Sequence, residues 1–579
     1  MSPGGEGRST GRVSRIGAGL LMLVVLAVLA VYANRAALDL PLYPATEGGY
    51  LIHALYGKAL SAQPALFAQV ERLNGTAYFL IIRAATYATH DLLPWMRVLG
   101  GLAYFAGLLL VYQSVRVHLQ RGQALGFLLL ALAFPYYRFA FAVLPEGWFV
   151  GVLGLIVLLT TRLYTPRPLL HAILAGALTG LLVMLKPQGL AVAAAFLVLA
   201  VLDLLLGRRD ARILAGRILV FTAGFLVSGH LTALAANQPI TSPFDFVTSA
   251  LNSQVMAGAV ALAPVASSML IFAGVPALAG LVRIEMRWRW YRQHRRGFRL
   301  EPLEVGFLLV LLSLLATLAT TGIGHGGGIA GRVWGRDLEL FVPILWLTAA
   351  AFIGEFDRAG LRWWRVAMAI VPVVGVAGLV ACLLNGAMLL PWDSAAASAF
   401  FRPDLTKFDL APAVPYFALA IAAILAAAGA MAFTAGPSHR IWLTYVVAVA
   451  VLSTAVDIAW ENSIEAKRAQ LSVELRTAKA IMMKRRGGVA VVVDDRSTAN
   501  TLFWGLQARP EVVLASPGQA LAAPRLAQAD TVIVSGRHRL DGTWTPVFQG
   551  KSLKVFSRAA RPHPRADSGE ALGSNAGSG

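Results

Sequence analysis

Two acidic residues lie beside turn-forming residues at the ends of apolar segments. Glu47 lies in the segment 44–50 (PATEGGY), and Glu146 directly follows Leu144 and Pro145. An ionisable side chain at membrane depth is costly and is usually functional. Either carboxylate could take the proton of a hydroxyl group, as a general base does. Taken singly, a charged residue at a span end is more often an anchor at the membrane interface.

Several cations occupy comparable positions. They are Lys186 in the turn 185–189 (LKPQG), Arg138 near the end of an apolar run, and His325, Arg332 and Arg336 around a glycine-rich segment. If the apolar runs are membrane spans, all of these residues share the external face with Glu47 and Glu146. The backbone amides of the glycine run 326–328 could approach an anion. The same run could equally be a flexible loop.

Carboxylates and cations gathered on one membrane face suit the transfer of a sugar from a polyprenyl phosphate. The lipid tail would stay in the bilayer while the phosphate lies at the interface. The leaving group is then an anionic phosphate, and cations that hold it stabilise the transition state. The acceptor hydroxyl has a high pKa and needs a carboxylate to take its proton. The sequence contains no nucleotide-binding motif, and this chemistry requires none.

The elements that position these residues are membrane helices. Of the 579 residues, 57% are hydrophobic and 14% are charged, whereas soluble domains average about 25% charged residues. The net charge of +20 first suggests nucleic acid, but most of the cations lie in short loops between apolar runs, where they set topology. The Arg/Trp-rich stretch 287–292 is interpreted as one such loop, touching anionic headgroups. Cys382 is the single cysteine, so no intramolecular disulfide is possible.

Apolar runs of about 18–22 residues, enough to cross a bilayer as helices, predict about thirteen spans. We place them at residues 16–34, 96–114, 124–143, 146–164, 169–185, 188–207, 214–236, 261–282, 303–321, 338–353, 366–384, 413–433 and 441–459. Arg8, Arg12 and Arg15 precede the first span and favour a cytoplasmic N-terminus. The loops that then lie inside hold more Arg than the opposite loops, as the positive-inside rule requires. The first span could also be a signal peptide, although its apolar stretch is longer than a typical signal core.

Two regions are not simple spans. Residues 35–95 form a long, aromatic-rich external loop that we interpret as short interfacial helices. After residue 460, a charged helical stretch precedes strand candidates at 489–493, 511–515, 531–535 and 553–557, with a helical stretch at 497–508. Strands alternating with helices predict a small α/β domain. We therefore expect a transmembrane domain at 1–460, an extracytoplasmic α/β domain at 461–560 and a disordered tail at 561–579.

The order of these motifs resembles the GT-C class of membrane glycosyltransferases, which includes the protein mannosyltransferases and the aminoarabinose transferases. The resemblance covers about residues 16–350. It rests on the acidic residue of the first loop and on four later motifs. These motifs are 74–83 (NGTAYFLIIR) with 95–102 (WMRVLGGL), 134–138 (FPYYR) with 144–146 (LPE), 180–189 (GLLVMLKPQG), and Gly331-Arg332 or Gly335-Arg336 before 341–343 (FVP). The resemblance implies a polytopic helical fold of the GT-C type.

The resemblance also implies roles for the external residues. Glu47 would be the general base and Glu146 would hold the acceptor or orient the site. Lys186, Arg332 and Arg336 would bind the donor phosphate, with Tyr50, Arg138 and His325 as further substrate-binding candidates. Many members of the class carry Asp-Glu in the first motif, whereas Glu47 has no acidic neighbour. The class includes a metal-dependent version as an alternative. Because two isolated carboxylates on separate loops are weak support for a metal site, we expect no metal and no other cofactor.

The sequence therefore predicts a glycosyltransferase of the bacterial inner membrane. Its expected partners are a polyprenyl-phosphate sugar donor, membrane lipids and a glycan, lipid or protein acceptor, and nucleic acid is excluded. A transporter or flippase of lipid-linked sugars is one alternative, although such proteins usually show internal repeats or paired broken helices. A polymerase or ligase of glycan chains is another alternative, and a non-catalytic scaffold that presents the C-terminal domain is a third.

Overall fold

The structure is a computed structural model of the chain. It describes residues 47–56, 75–89, 92–119, 127–129, 134–163, 168–207, 211–237, 255–294, 298–325, 335–358, 362–385, 469–484, 488–493, 511–514, 529–535 and 544–558, with isolated positions between them. The chain divides into two compact units. The first comprises Met1–Ala59 and Val70–Arg468, and the second comprises Leu60–Gln69 and Ala469–Gly579. The domain boundaries expected at residues 460 and 560 stay predictions.

The described part of the first unit is helical. Its helices are α1 (Gly49–Tyr56), α2 (Thr76–Ala88), α3 (Leu92–Val115), α4 (Tyr137–Ala140), α5 (Glu146–Thr161), α6 (Pro168–Leu185), α7 (Gly189–Gly207), α8 (Ala211–Ala236), α9 (Val255–Gln293), α10 (Pro302–His325), α11 (Arg336–Glu339), α12 (Val342–Arg358) and α13 (Arg362–Leu384). The described positions between residues 19 and 33 are also helical. A helix is the expected form for apolar segments in lipid, because it satisfies its own backbone polar groups.

Among the described residues, six helices are long and apolar enough to cross a membrane. These segments are Leu92–His118, Pro168–Leu185, Ala211–Ala236, Leu262–Gln293, Pro302–Thr320 and Trp363–Leu384. Shorter apolar helices cover Glu146–Thr161, Gly189–Leu205 and Val342–Phe352. The chain is therefore a multi-pass membrane protein. The expected spans at 413–433 and 441–459 lie outside the described residues, so the predicted number of thirteen stays a prediction.

The expected span at 124–143 is wrong in its second half. The described residues between 124 and 132 are helical, but Phe134, Pro135 and Tyr136 form a turn. The short helix α4 and an irregular segment follow, up to Pro145. Proline has no backbone N–H to donate, and it disfavours a helical conformation in the residue before it. Every residue from Phe134 to Gly147 is buried, and irregular backbone in a membrane protein is tolerated where protein surrounds it.

Glycines allow two helix pairs to pack backbone against backbone. Between α3 and α5, a Cβ added at Gly107 would lie 2.3 Å from the Val150 carbonyl oxygen, and one at Gly154 would lie 2.2 Å from the Gly107 carbonyl oxygen. Between α6 and α8, a Cβ at Gly176 would lie 2.0 Å from the Phe221 carbonyl oxygen. Close helix contacts through small residues are a usual source of association in membranes, where the hydrophobic effect between helices is weak.

The cationic end of α9 is paired with acidic residues at the start of α10. Arg283 donates to Glu301 at 2.7 Å and to Glu304 at 3.2 Å, and Arg287 also pairs with Glu304. The Glu304 side chain is fully buried. Part of the arginine cluster that the sequence assigned to a topogenic loop therefore joins two helices.

The second unit contains a five-stranded mixed sheet, as the small α/β domain expected from the sequence requires. Its strands are β1 (Gly488–Val493), β2 (Glu511–Leu514), β3 (Ala529–Ser535), β4 (Trp544–Gln549) and β5 (Leu553–Arg558), in the order β2-β1-β3-β5-β4. β1 is parallel to β2 and β3, whereas β5 is antiparallel to β3 and β4. Four of the strands were predicted. The sequence analysis missed β4, an edge strand that contains Pro546, and proline in a strand is typical of such an edge.

A helix over residues 469–483 (α14) carries the carboxylate that holds the β4–β5 turn. Glu474 accepts hydrogen bonds from the backbone N–H groups of Lys551, Ser552 and Leu553 at 2.8–3.0 Å. A carboxylate that receives several N–H groups satisfies donors that a tight turn would otherwise leave unpaired. Of the helical stretch expected at 497–508, residues 501, 502 and 506 are described and are helical. The tail 561–579 lies outside the described residues.

Candidate functional site

Glu146 lies at the centre of a buried ionic cluster. It is the first residue of α5 and is fully buried. Its Oε1 atom accepts hydrogen bonds from Lys186 Nζ at 3.1 Å and from Arg336 Nε at 2.6 Å. A second nitrogen of the same guanidinium lies 2.5 Å from this oxygen. The position at the start of α5 also suits a carboxylate, because the helix dipole is positive there.

Lys186 joins two parts of the chain that are far apart in sequence. It follows α6, and the Lys186 carbonyl accepts a hydrogen bond from the Gly189 N–H at 2.9 Å, which closes the turn into α7. Its ammonium group also donates to Asp337 Oδ1 at 2.6 Å. The four side chains of Glu146, Asp337, Lys186 and Arg336 thus form a buried set of two carboxylates and two cations. Buried charges are stable only when they are paired in this way.

Arg336 and Asp337 are presented by the short helix α11. Burial alone would lower the pKa of the Arg336 guanidinium, but the adjacent Glu146 raises it above its ordinary value. The group therefore stays charged at every physiological pH. The guanidinium also lies 4.9 Å from the centre of the Phe139 ring, which belongs to α4. At the end of α11, Glu339 accepts a hydrogen bond from Ser394.

Glu47 forms a second buried ion pair. Its Oε1 atom accepts a hydrogen bond from Arg97 Nε at 3.1 Å and another from the backbone N–H of Val143 at 2.8 Å. The side chains of Glu47 and Arg97 are both fully buried. The Val143 N–H is available because the chain is irregular after α4. The break in the expected third span therefore has a direct consequence, since it supplies a donor for Glu47.

Two buried tyrosines from the first two helices pack against each other. Tyr50 on α1 and Tyr78 on α2 meet edge to face, with ring centres 5.3 Å apart. Burial, then the charges of Glu47 and Glu146, raise the pKa of the Tyr78 phenol well above its ordinary value. Burial and Glu146 likewise raise the pKa of Tyr50. Both phenols therefore stay protonated.

A glycine permits this arrangement. Gly75 precedes α2 with a φ angle of 152°, which L-residues rarely adopt. A Cβ at this position would lie 3.0 Å from the Tyr50 ring. Gly75 therefore allows the start of α2 to approach α1 closely. Further along the two helices, Arg83 Nε of α2 donates a hydrogen bond to the Ala54 carbonyl of α1 at 2.8 Å.

The structure describes only some of the remaining candidates. Arg138 is buried within α4, beside the Phe139 ring that Arg336 covers. The backbone of His325 ends α10, but its side chain is outside the described part. Arg332 also lies outside the described residues. The roles given to Arg138, Arg332 and His325 stay predictions.

Three charged members of the site, Arg97, Asp337 and Glu339, were not among the candidates predicted from the sequence. Arg97 lies in an apolar run, and an arginine inside a membrane span is itself a signal of function. Asp337 and Glu339 directly follow Arg336, in a charged tetrapeptide before an apolar helix. Within the described residues, no group of three or more His, Cys, Asp and Glu is arranged to hold a metal ion. The expectation that no metal is needed stays a prediction.

No family model and no curated protein matches the chain. Solved structures do match. Two crystal structures of ArnT from Cupriavidus metallidurans, one in the apo state and one bound to undecaprenyl phosphate, each superimpose with a TM-score of 0.52. The chain has the ArnT fold. The match covers 94% of this chain and 98% of that ArnT chain, at 14% sequence identity. The fold expected from the resemblance to the GT-C class, which includes the aminoarabinose transferases, is thereby confirmed. The match to ArnT also extends beyond residues 16–350, which carried the resemblance.

Proposed function

We propose that the chain is a glycosyltransferase that moves a sugar from a polyprenyl-phosphate-linked donor to an acceptor hydroxyl. The observation that carries this proposal is the buried cluster of Glu146, Lys186, Arg336 and Asp337. Three separate parts of the chain build this cluster, and it has more cationic donors than a purely structural ion pair needs. In support, an ArnT with this fold has been crystallised bound to undecaprenyl phosphate.

The cluster is suited to a phosphate that gains charge during the reaction. In the donor, the phosphate links the sugar to the lipid and carries one negative charge. Cleavage of the bond between the sugar carbon and the phosphate oxygen leaves a polyprenyl phosphate with one more negative charge. Lys186 has three N–H donors, and two of them are used by Glu146 and Asp337. The third donor and the remaining Arg336 donors are assigned to the phosphate, where they stabilise the leaving group.

Glu47 is the proposed general base. Arg97 favours its ionised form, which is the form that accepts a proton. The acceptor oxygen would attack the sugar carbon while Glu47 takes the hydroxyl proton, so the products are the glycosylated acceptor and polyprenyl phosphate. The acceptor class, whether lipid, glycan or protein, stays open. The proposal includes the bacterial inner membrane as the location, with the catalytic face outside the cytoplasm.

A transfer assay tests this proposal. The protein, purified and reconstituted in lipid nanodiscs, is incubated with undecaprenyl phosphate linked to a radiolabelled sugar and with membrane extract as the source of acceptor. We expect label in a new product together with release of undecaprenyl phosphate. A transporter or flippase would move the intact lipid-linked sugar between leaflets of a vesicle without cleaving it. Movement without cleavage would contradict the proposal.

A further inference from the structure

Three polar atoms around Glu146 are buried without a hydrogen-bond partner in the described part of the chain. They are the second carboxylate oxygen of Glu146 and the hydroxyl groups of Tyr78 and Tyr136. All three side chains are fully buried. An unsatisfied buried polar group is costly, so most such groups in proteins are paired. Three of them near one carboxylate indicate a place where a polar ligand supplies the missing partners.

The three groups belong to one region. The Tyr136 ring meets Phe139 edge to face, with ring centres 5.5 Å apart. The same Phe139 ring lies under the Arg336 guanidinium. Tyr78 lies on the other side, where a Cβ added at Gly75 would be 3.6 Å from the Tyr78 Cβ and 3.5 Å from the carbonyl oxygen of Leu185, the residue before Lys186. Besides burial, the charge of Glu146 accordingly contributes to the raised pKa of the Tyr78 phenol. The two tyrosines therefore approach the carboxylate from different elements, α2 and the broken segment before α4.

The chemistry of these atoms selects a hydroxyl-bearing ligand. Lys186 and Arg336 hold the Oε1 atom of Glu146, which favours the ionised form of the carboxylate, so Oε2 can only accept a hydrogen bond. A phenol can both donate and accept. A sugar ring carries several hydroxyl groups that donate and accept in the same way. A phosphate, in contrast, would be repelled by the open oxygen of Glu146.

The position of the cations gives the orientation of the donor. In the proposed function, Lys186 and Arg336 bind the donor phosphate, and the sugar is bonded directly to one of its oxygens. The sugar must therefore lie within a few ångströms of these cations. The Oε2 atom of Glu146 lies at this distance, because Lys186 and Arg336 hold the other oxygen of the same carboxylate.

We infer that Glu146 Oε2, Tyr78 and Tyr136 form the subsite that binds the hydroxyl groups of the donor sugar. This inference rests on the proposed function and deepens it. Glu146 is then a substrate-binding residue for the sugar, while Lys186 and Arg336 orient its carboxylate and also hold the phosphate. Sites built to hydrogen-bond a hydroxyl strongly reject ligands that lack it, because the buried groups then stay unpaired.

The test compares binding of bare and sugar-linked lipid. The full-length protein in nanodiscs is titrated with undecaprenyl phosphate and with undecaprenyl phosphate linked to glucose, mannose, galactose or arabinose. The measured quantity is the ratio of the dissociation constant of the bare lipid to that of the tightest sugar-linked lipid. We expect Tyr136→Phe and Tyr78→Phe each to lower this ratio about three- to tenfold, the scale of one hydrogen bond. The affinity for bare undecaprenyl phosphate should stay within about twofold on the same reasoning.

Tyr104→Phe is the matched control. Tyr104 is also fully buried, but its hydroxyl donates to the Ala131 carbonyl at 3.3 Å. Its loss should leave the ratio unchanged. An unchanged ratio in both subsite variants, with transfer activity in the unaltered protein, would overturn the subsite and leave the glycosyltransferase proposal standing. An equal loss of affinity for bare and sugar-linked lipid would also overturn it. Failure of the unaltered protein to bind any of these lipids would contradict the subsite and the proposed function together.

Discussion

At the residue scale, the site combines charges that would be unstable apart. Lys186 and Arg336 share one oxygen of Glu146, and Asp337 holds Lys186 from the other side. Removal of one partner from a buried pair typically costs about 3–5 kcal/mol. Arg97 and Glu47 repeat the arrangement with a single pair. Loss of any one of these paired residues would therefore also destabilise the protein, and every test needs a readout that separates binding or turnover from unfolding.

The phosphate-binding role of Lys186 predicts a loss of donor affinity. Lys186→Gln keeps a hydrogen-bonding side chain and removes the charge, so undecaprenyl phosphate should bind about ten- to a hundredfold more weakly, as expected for a charged hydrogen bond. Arg332→Ala should do the same if that residue also binds the phosphate. The measurement is equilibrium binding in nanodiscs, with the melting temperature recorded for each variant. Arg289→Ala is the control, because Arg289 is an exposed cation paired with Glu285. Normal affinity in Lys186→Gln would leave Lys186 as a structural member of the buried cluster, and normal affinity in Arg332→Ala would leave Arg332 as an interface anchor.

The general-base role of Glu47 predicts a loss of turnover. Glu47→Gln keeps the size of the side chain but removes the group that takes the acceptor proton, so the transfer rate should fall about a hundredfold or more. Donor binding should be largely retained, because Glu47 is not assigned to the phosphate. The measurement is the rate of label transfer at saturating donor.

A matched acidic residue separates chemistry from folding in this experiment. Glu304 is equally buried and pairs with Arg283 and Arg287 between α9 and α10. Glu304→Gln should lower the melting temperature while the protein that stays folded turns over normally. Near-normal turnover in Glu47→Gln would end the assignment of Glu47 as the base and would direct attention to Glu146.

At the element scale, the length of the apolar runs predicts most helices, whereas the site depends on a helix break that was not predicted. Long apolar runs indicate where α3, α6 and α8 lie, because burial in lipid leaves a helix as the main choice. The turn at Phe134–Tyr136 was missed although Pro135 was visible, because a proline in a membrane helix often only kinks it. Whether the chain breaks depends on partners distant in sequence, such as Glu47 for the Val143 N–H. For the same reason Glu146, Lys186 and Arg336 could be chosen by type and position, whereas their pairing with one another and with Asp337 could not.

Close packing of α3 on α5 predicts intolerance of side chains at its glycines. In Gly154→Ala the new methyl group would lie 2.2 Å from the Gly107 carbonyl oxygen, so the helices must separate. We expect a clear drop in melting temperature, since overpacking typically costs about 1–3 kcal/mol. Gly216→Ala is the control, because the nearest atom to its added Cβ is 3.9 Å away. That variant should be as stable as the unaltered protein, or more stable because alanine favours helix. Equal stability of the two variants would show that this contact is looser than the structure indicates.

At the scale of the whole molecule, the distribution of cations between the loops must agree with the number of spans that separate them. Composition alone indicates the membrane class, and the change of pattern after residue 460 indicates the small C-terminal sheet domain. The sheet order β2-β1-β3-β5-β4 could not be derived in the same way, because strand pairing depends on contacts between distant segments. The second unit comprises the chain from Ala469 onward together with Leu60–Gln69 of the first long loop. Which side of the membrane each unit occupies depends on how many spans precede it.

An odd number of spans with a cytoplasmic N-terminus places residues 461–579 outside the cytoplasm. This prediction is based on the excess of Arg in the loops assigned to the cytoplasm, including Arg440 between the last two expected spans. Alkaline phosphatase is active only outside the cytoplasm, so a fusion at the C-terminus should be active. A fusion directly after Arg440 should be inactive, and a fluorescent cytoplasmic reporter should show the opposite pattern. Expression of each fusion is checked by immunoblot. An inactive phosphatase at the C-terminus, together with an active phosphatase after Arg440, would reverse the topology. Glu47, Glu146 and Lys186 would then face the cytoplasm, and the extracytoplasmic donor site would be wrong.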